Sequence, residues 1–226
     1  MGKPIVIADD HPLFRAALRQ AVAIAAPDRD LVETDSLAGA FEALQGAGAG
    51  LLCLDLHMSD SDGFAGLVSL KQAHPALPVV VVSGCEDRGI YSRAVNLGAA
   101  GFVPKSSDID TICDAITTVL DGEVWLPDGL EDDDVDGNPT SKDAAVAARI
   151  ASLTPTQLKV LLYVKEGLLN KQIAFEMDVS EATVKAHMTA IMRKLKVQTR
   201  TQAVLAASIL ETEPDSSSGD QISLTR

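Results

Sequence analysis

The sequence predicts an α/β fold built on a doubly wound, five-stranded parallel sheet, followed by a smaller all-α domain of four helices. Three observations carry that expectation. Short apolar runs recur at residues 4–8, 30–34, 51–55, 78–83 and 99–103, and segments of helical periodicity lie after them at 12–25, 36–45, 63–73, 87–97 and 106–120. From about residue 150 onward only helical periodicity continues. The charge balance also reverses: residues 1–149 hold 10 Lys/Arg against 24 Asp/Glu, whereas residues 150–210 hold 8 against 4. The chain therefore reads as an acidic module followed by a small basic one. Its net charge of -13 argues against a protein that coats nucleic acid indiscriminately.

Taken in order, the first and third strands share one form. Ile5-Val6-Ile7-Ala8 delivers Asp9 and Asp10, and Leu51-Leu52-Cys53-Leu54 delivers Asp55. Unbroken apolar runs of this kind are central parallel strands, and right-handed crossovers place all their C-terminal ends on one rim. Asp9, Asp10, Asp55, Ser83 and the Pro104-Lys105 turn then share that rim, where open α/β sheets bind ligands. Three crowded carboxylates need neutralising by protonation, a lysine or a hard cation. Mg²⁺ suits carboxylate oxygens, which makes Asp9, Asp10 and Asp55 its candidate ligands and Asp55 a candidate nucleophile toward phosphorus. Asp9 and Asp10 as mere loop and helix-start residues is the alternative. Ser83, followed by Gly84, can donate to a phosphoryl oxygen, and Lys105 offers a point positive charge. Asp60 and Asp62 read as turn and helix-start residues with Gly63 beginning the next helix, and His11 as a helix-start or packing residue before Pro12.

Cys53, Cys85 and Cys113 are odd in number and far apart, which marks reduced core cysteines. No leader pattern opens the chain and no stretch is long enough to cross a bilayer, so a cytoplasmic protein without a membrane partner is expected. Residues 1–121 form the acidic domain and residues 122–149 a flexible acidic linker around Leu130–Pro139, with a short helix at Ala144–Ile150. Residues 150–212 form the basic domain and residues 213–226 a disordered tail.

In the basic domain Thr154 caps a helix opening at Pro155, Asn170 a short second helix, and Ser180 a third that runs to about Leu195. A fourth begins near Thr199. The second and third are joined by the turn Asp178-Val179-Ser180, and the third carries Lys185, Thr189, Arg193 and Lys194 on an exposed face. This is a helix-turn-helix with its basic side turned to a DNA groove. A four-helix protein-binding bundle is the alternative reading.

Asp9-Asp10-His11-Pro12-Leu13-Phe14-Arg15, Asp55 with Met58 and Gly63, Ser83-Gly84 and Lys105 resemble the receiver domain of a two-component response regulator, a flavodoxin-like (CheY-like) fold. Leu153-Thr154-Pro155, Asn170-Lys171-Gln172-Ile173-Ala174 and Thr183-Val184-Lys185-Ala186-His187 are similar to the LuxR-type DNA-binding domain. Together they resemble the NarL/FixJ family. The resemblance implies a transcription regulator rather than an enzyme: a sensor histidine kinase phosphorylates Asp55, Asp9 and Asp10 help to hold Mg²⁺, and Ser83 and Lys105 grip the phosphoryl group while Phe102 acts as the aromatic switch. It implies a dimer on double-stranded promoter DNA, with RNA polymerase as a further partner. Lys185, Ala186 and Thr189 would face the major groove, and Lys171, Thr183 and Lys194 the backbone. Two departures stand out. Ser59 replaces a common proline, which leaves its turn less rigid, and Thr156-Gln157 replaces Arg-Glu, which removes ion pairing from the first helix. A Mg²⁺-dependent phosphohydrolase would carry a second aspartate two residues after the nucleophile, where this chain has His57. An adaptor with an inactive receiver is disfavoured by the intact acidic pair and lysine.

Overall fold

The structure is a computed structural model that describes residues 2–45, 48–85, 88–127 and 142–211. Strands β1 (Ile5–Ala8), β2 (Leu31–Thr34) and β3 (Leu51–Asp55), joined by helices α1 (Pro12–Ala25) and α2 (Leu37–Ala43), open the first domain. After a short antiparallel ribbon, β4 (His57–Met58) and β5 (Ser61–Asp62), come α3 (Ala65–Ala73), β6 (Val79–Ser83), α4 (Arg88–Asn96), β7 (Gly101–Pro104) and α5 (Ile109–Leu120). The main sheet is parallel throughout, in the order β2-β1-β3-β6-β7.

Alternation along the strands creates two cores. Ile5, Ile7, Cys53, Val80, Val82 and Val103 point to the face covered by α1 and α5. Val6, Leu52, Leu54, Val79, Val81 and Phe102 point to the opposite face. Burial pushes the Cys53 thiol up to about 12, so it stays protonated, and the three cysteines are free. In register, Asp55 lies opposite Val82 and Ser83 opposite Pro104, which sets the acidic strand end beside the serine and the Lys105 turn.

Two local expectations change. Asp60 does not start its own helix: its two carboxylate oxygens accept from the amides of Leu37 and Ala38 at 2.8 and 2.9 Å, and so cap α2 across the chain. Gly63 does not open α3 either. It turns the ribbon out with φ 59°, and the helix starts at Ala65.

Part of the expected linker is ordered. Trp125 bridges to Gly101, accepting from the Phe102 amide at 3.3 Å and donating to the Ala100 carbonyl at 3.0 Å. Helix α6 spans Lys142–Ala151. The acidic run at 131–136 and the tail from residue 212 lie outside the described residues.

The second domain packs α7 (Pro155–Lys165), α8 (Asn170–Glu176), α9 (Glu181–Leu195) and α10 (Arg200–Ala207), ending in a 3-10 turn, Ser208–Leu210. Thr154 and Ser180 cap as their positions predict, and Thr199, where the fourth helix is expected to begin, caps α10. Asn170 does not cap α8; it is the first helical residue, and the N-cap is Leu169, whose amide donates to Gln172. The missing Arg-Glu pair has a replacement: Thr154 Oγ1 accepts from the Gln157 amide at 3.3 Å and Gln157 Oε1 from the Thr154 amide at 3.1 Å, a reciprocal capping box.

Thr154→Ala should therefore destabilise the second domain by about 1 kcal/mol. Urea unfolding of the full chain, followed by a probe in that domain, should show the loss at an unchanged m-value.

Candidate functional site

The rim at the C-terminal ends of β1, β3, β6 and β7 gathers the expected side chains. Asp9 and Asp55 are buried and Asp10 is partly exposed. Lys105 Nζ stands 2.8 Å from Asp55 Oδ2 and 3.1 Å from Asp9 Oδ2, above the ring of Phe14. The other oxygens are oriented by backbone. His11 N donates to Asp9 Oδ1 at 2.7 Å, His57 N to Asp55 Oδ1 at 3.1 Å, and Ser59 N to Asp10 Oδ2 at 3.0 Å. The last bond exists because residue 59 is not proline, which has no N–H to give. The departure that reads as a looser turn thus ties that turn to the acidic pair.

His11 occupies the N-cap position of α1 without a side-chain capping bond, and its ring does more than pack. Nδ1 lies 2.9 Å from Asp10 Oδ1, 3.4 Å from Asp55 Oδ2 and 3.2 Å from Lys105 Nζ. Ser83 is buried and its Oγ accepts from the Cys85 amide at 3.2 Å. Phe102 is fully buried, with its ring 4.4 Å from that of Tyr91 on α4, a partner the sequence reading passed over although it lies on the apolar stripe of that helix.

Burial raises the Asp9 carboxyl above its ordinary range, and the Asp55 charge adds to the rise while Lys105 opposes it. One candidate ligand atom each from Asp9, Asp10, His11 and Asp55 lie within 4.8 Å of one another. Asp9 Oδ2 and Asp10 Oδ1 are buried, facing Lys105 Nζ at 3.1 Å and His11 Nδ1 at 2.9 Å without a well-aligned hydrogen bond. Hard carboxylate oxygens left in that condition fit a divalent cation.

The second candidate surface is α9. Lys185, Ala186, Thr189 and Arg193 are exposed, as is Lys171 on α8, while Val184, Met188, Ile191 and Leu195 are buried. Lys185 Nζ pairs with Glu181 Oε1 at 3.0 Å. The Thr189 hydroxyl donates to the Lys185 carbonyl at 3.0 Å, which leaves it an acceptor and a methyl group for a base edge. Thr183 is half-buried, with its hydroxyl 2.8 Å from that of Ser180. Lys194 is not on the open face. It is half-buried and its Nζ donates to the Ser152 carbonyl at 2.7 Å, just past the end of α6. Arg200 ties α10 to the start of α8 through Asn170 Oδ1 at 3.0 Å and the Leu168 carbonyl.

A sheet-rim aspartate set beside a serine and lysine, joined to a helix-turn-helix, defines a signalling protein with a phosphate input and a DNA output. The comparisons agree. Residues 5–117 match the family described as response regulator receiver domain, and residues 151–207 match bacterial regulatory proteins of the luxR family. The chain is 39% identical over 211 residues to a glycerol metabolism activator of Pseudomonas putida, covering 92% of this chain and 96% of that one. It is 27% identical over 202 residues to the nitrate/nitrite response regulator NarL of Escherichia coli K12, covering 89% and 93%. A solved structure of the RcsB response regulator of Salmonella typhimurium shares the fold, with a TM-score of 0.52 at 22% identity over 92% of this chain and 98% of that one. The chain belongs to the NarL/FixJ family of two-component response regulators. It is a phosphorylation-controlled, DNA-binding transcription regulator, not an enzyme in the conventional sense. Among the described residues no helix is long and apolar enough to cross a membrane.

The raised Asp9 carboxyl sets a pH dependence. The folded state binds the Asp9 proton more tightly than the unfolded chain, so this group lowers stability as pH rises from its ordinary value near 3.8 through its folded value. In chelator, Asp9→Asn should raise the thermal midpoint at neutral pH, and the gain should vanish below about pH 3.8. Added Mg²⁺ should raise the midpoint of the wild type and leave that of D9N nearly unmoved.

Proposed function

We propose that Asp55 is the phospho-acceptor, with Asp9 and Asp10 as cation ligands, Ser83 and Lys105 as phosphoryl-contacting residues and Phe102 as the switch. The observation that carries this reading is the Lys105 ammonium bridging Asp55 Oδ2 and Asp9 Oδ2 at 2.8 and 3.1 Å on the sheet rim. A point positive charge there meets the charge that builds on a transferring phosphoryl group. Asp9, Asp10 and Asp55 would hold Mg²⁺, which when bound supplies further neutralisation of the phosphoryl oxygens. The chain's own contribution is orientation: the His57 amide fixes one oxygen of Asp55 and leaves the other facing the lysine. The domain limits follow from the same reading. Residues 1–121 receive the signal, 122–149 connect, 150–212 bind DNA and 213–226 trail.

The partners are a sensor histidine kinase, a second copy of the chain, double-stranded promoter DNA and, at the promoter, RNA polymerase. The likeness to a glycerol metabolism activator supports activation as the output. On the DNA side Lys185, Ala186 and Thr189 read bases, while Lys171, Thr183, Arg193 and Lys194 serve the backbone. Lys194 does so only after leaving the Ser152 carbonyl, so the exposed Arg193 carries more of the nonspecific attraction.

Incubation of the full chain with acetyl phosphate and Mg²⁺ should add the mass of one phosphate, and Asp55→Ala should abolish the gain. Full labelling of D55A elsewhere would sink the assignment. For the output, Lys185→Ala should flatten preference at one base pair per half-site, at a cost of roughly 1 to 3 kcal/mol on the best site. Arg193→Ala should weaken all sequences alike and lower the salt slope by about one. Site selection followed by salt titration separates the two, and a changed base preference in R193A would reverse the assignment.

A further inference from the structure

The first acidic strand end is followed at once by an imidazole, in the run Ala8-Asp9-Asp10-His11-Pro12. Pro12 opens α1, which fixes His11 at the N-cap of that helix, on the rim that holds the aspartates. Capping or packing would be the ordinary use of a histidine there. The side chain does neither: it makes no capping bond and is 57% exposed.

Its Nδ1 instead converges with all three carboxylates. It lies 2.9 Å from Asp10 Oδ1, 3.4 Å from Asp55 Oδ2 and 3.6 Å from Asp9 Oδ1. A hydrogen bond to one aspartate would explain one short contact, not three. Two atoms bound to the same transition metal at roughly 2.0 to 2.2 Å stand about 2.8 to 3.6 Å apart, along an edge of an octahedron or a tetrahedron. All three separations fall within that range. The nitrogen therefore already keeps ligand-to-ligand spacing to one oxygen of each aspartate.

The direction of its lone pair agrees. Lys105 Nζ stands 3.2 Å from Nδ1, and an ammonium can only donate, so this hydrogen bond needs a proton-free Nδ1. Asp10 Oδ1, the nearest oxygen, makes no well-aligned hydrogen bond with the ring. The imidazole thus presents Nδ1 to positive charge, as a metal ligand must, instead of spending a proton on the carboxylate.

We propose that His11 is a nitrogen ligand of the acidic rim, which makes the rim a mixed oxygen and nitrogen site with a preference for borderline divalent cations such as Co²⁺, Zn²⁺ and Mn²⁺ over Mg²⁺. The proposal rests on the reading of Asp9, Asp10 and Asp55 as cation ligands and adds a fourth donor to them. Carboxylates and water suit Mg²⁺, whereas imidazole suits the transition metals and adds little for a hard cation. Binding is therefore the work of the aspartates, and the choice among cations is set by residue 11.

The test titrates the metal-free full chain with cobalt and magnesium chlorides by calorimetry at about pH 8, where an ordinary imidazole is neutral. Pulsed electron paramagnetic resonance at saturating Mn²⁺ then looks for coupling to a bound nitrogen. Wild type should bind Co²⁺ more tightly than Mg²⁺ and show the coupling. His11→Ala removes an exposed side chain without a capping bond, so the far-ultraviolet spectrum should not change. It should weaken Co²⁺ roughly tenfold or more, leave Mg²⁺ nearly unmoved and abolish the coupling. His11→Asn, which keeps a polar side chain but has no ring nitrogen, should also lose the coupling. Asp9→Asn should weaken both cations. Equal Co²⁺ affinity in wild type and H11A, or a nitrogen coupling that survives in H11A, would overturn the proposal and leave the aspartate site standing. Affinities unchanged in D9N would instead sink the aspartate reading, and no binding of either cation by wild type would sink both.

Discussion

Everything at the sheet rim follows from three carboxylates being brought closer than three charges tolerate. Parallel strands β1 and β3 are neighbours, so Asp9 and Asp55 at their ends cannot separate without breaking the ladder. Water does not screen them, because both are buried. The protein responds with one ammonium from the neighbouring turn and with backbone amides from residues 11, 57 and 59. That arrangement lowers the repulsion without abolishing it, as the raised Asp9 carboxyl records. Carboxylates in this condition fit a divalent cation.

The crowded rim is also tied into the elements around it. Asp10 is the one member of the trio with side-chain exposure, and it is also the one tied to the two-strand ribbon, which ends at the positive-φ Gly63, rather than to a sheet strand. On β7, beside the strand that ends in Ser83, Phe102 packs at a tilt against Tyr91, so α4 touches the sheet through that ring contact. Helices α3 and α4 are also the ones that touch the second domain, through Phe64, Gln72 and Arg93.

The second domain shows the opposite economy. Its helices are short, and local hydrogen bonding sets most of their ends: capping boxes at Thr154 and Thr199 and the Ser180 cap at the start of α9. Each satisfies amides that a short helix cannot satisfy internally. Two lysines of α9 are partly spent at rest, the exposed Lys185 on Glu181 and the half-buried Lys194 on the Ser152 carbonyl. An exposed i,i+4 pair such as the first contributes little to stability, so DNA phosphates and bases can take Lys185 from it at small cost.

How much of this was legible beforehand depended on whether a feature is local. Strand-end aspartates, the Ser83-Gly84 and Pro104-Lys105 turns, the caps at Thr154 and Ser180 and the helix start near Thr199 are written in adjacent residues, because apolar runs, β-rim turns and helix starts obey local chemistry. The grouping of Asp9, Asp55, Ser83 and Lys105 was legible one step further, since handed crossovers leave few ways to arrange alternating strands and helices. Asp60 looked like a local turn residue because nothing in its neighbourhood reveals that α2, more than twenty positions earlier, needs its carboxylate. His11 and Tyr91 were undervalued for the same reason, as their partners come from other strands and helices. Lys194 has the spacing of an exposed face, and only the packing of α6 against α9 turns it to the Ser152 carbonyl. The sequence by itself determined the two fold classes, the acidic rim and the basic helix; the tertiary structure alone decided the long-range caps, the ring packed against Phe102 and the seat of Leu210 on Phe64, because each is a contact between segments whose separation no local pattern encodes.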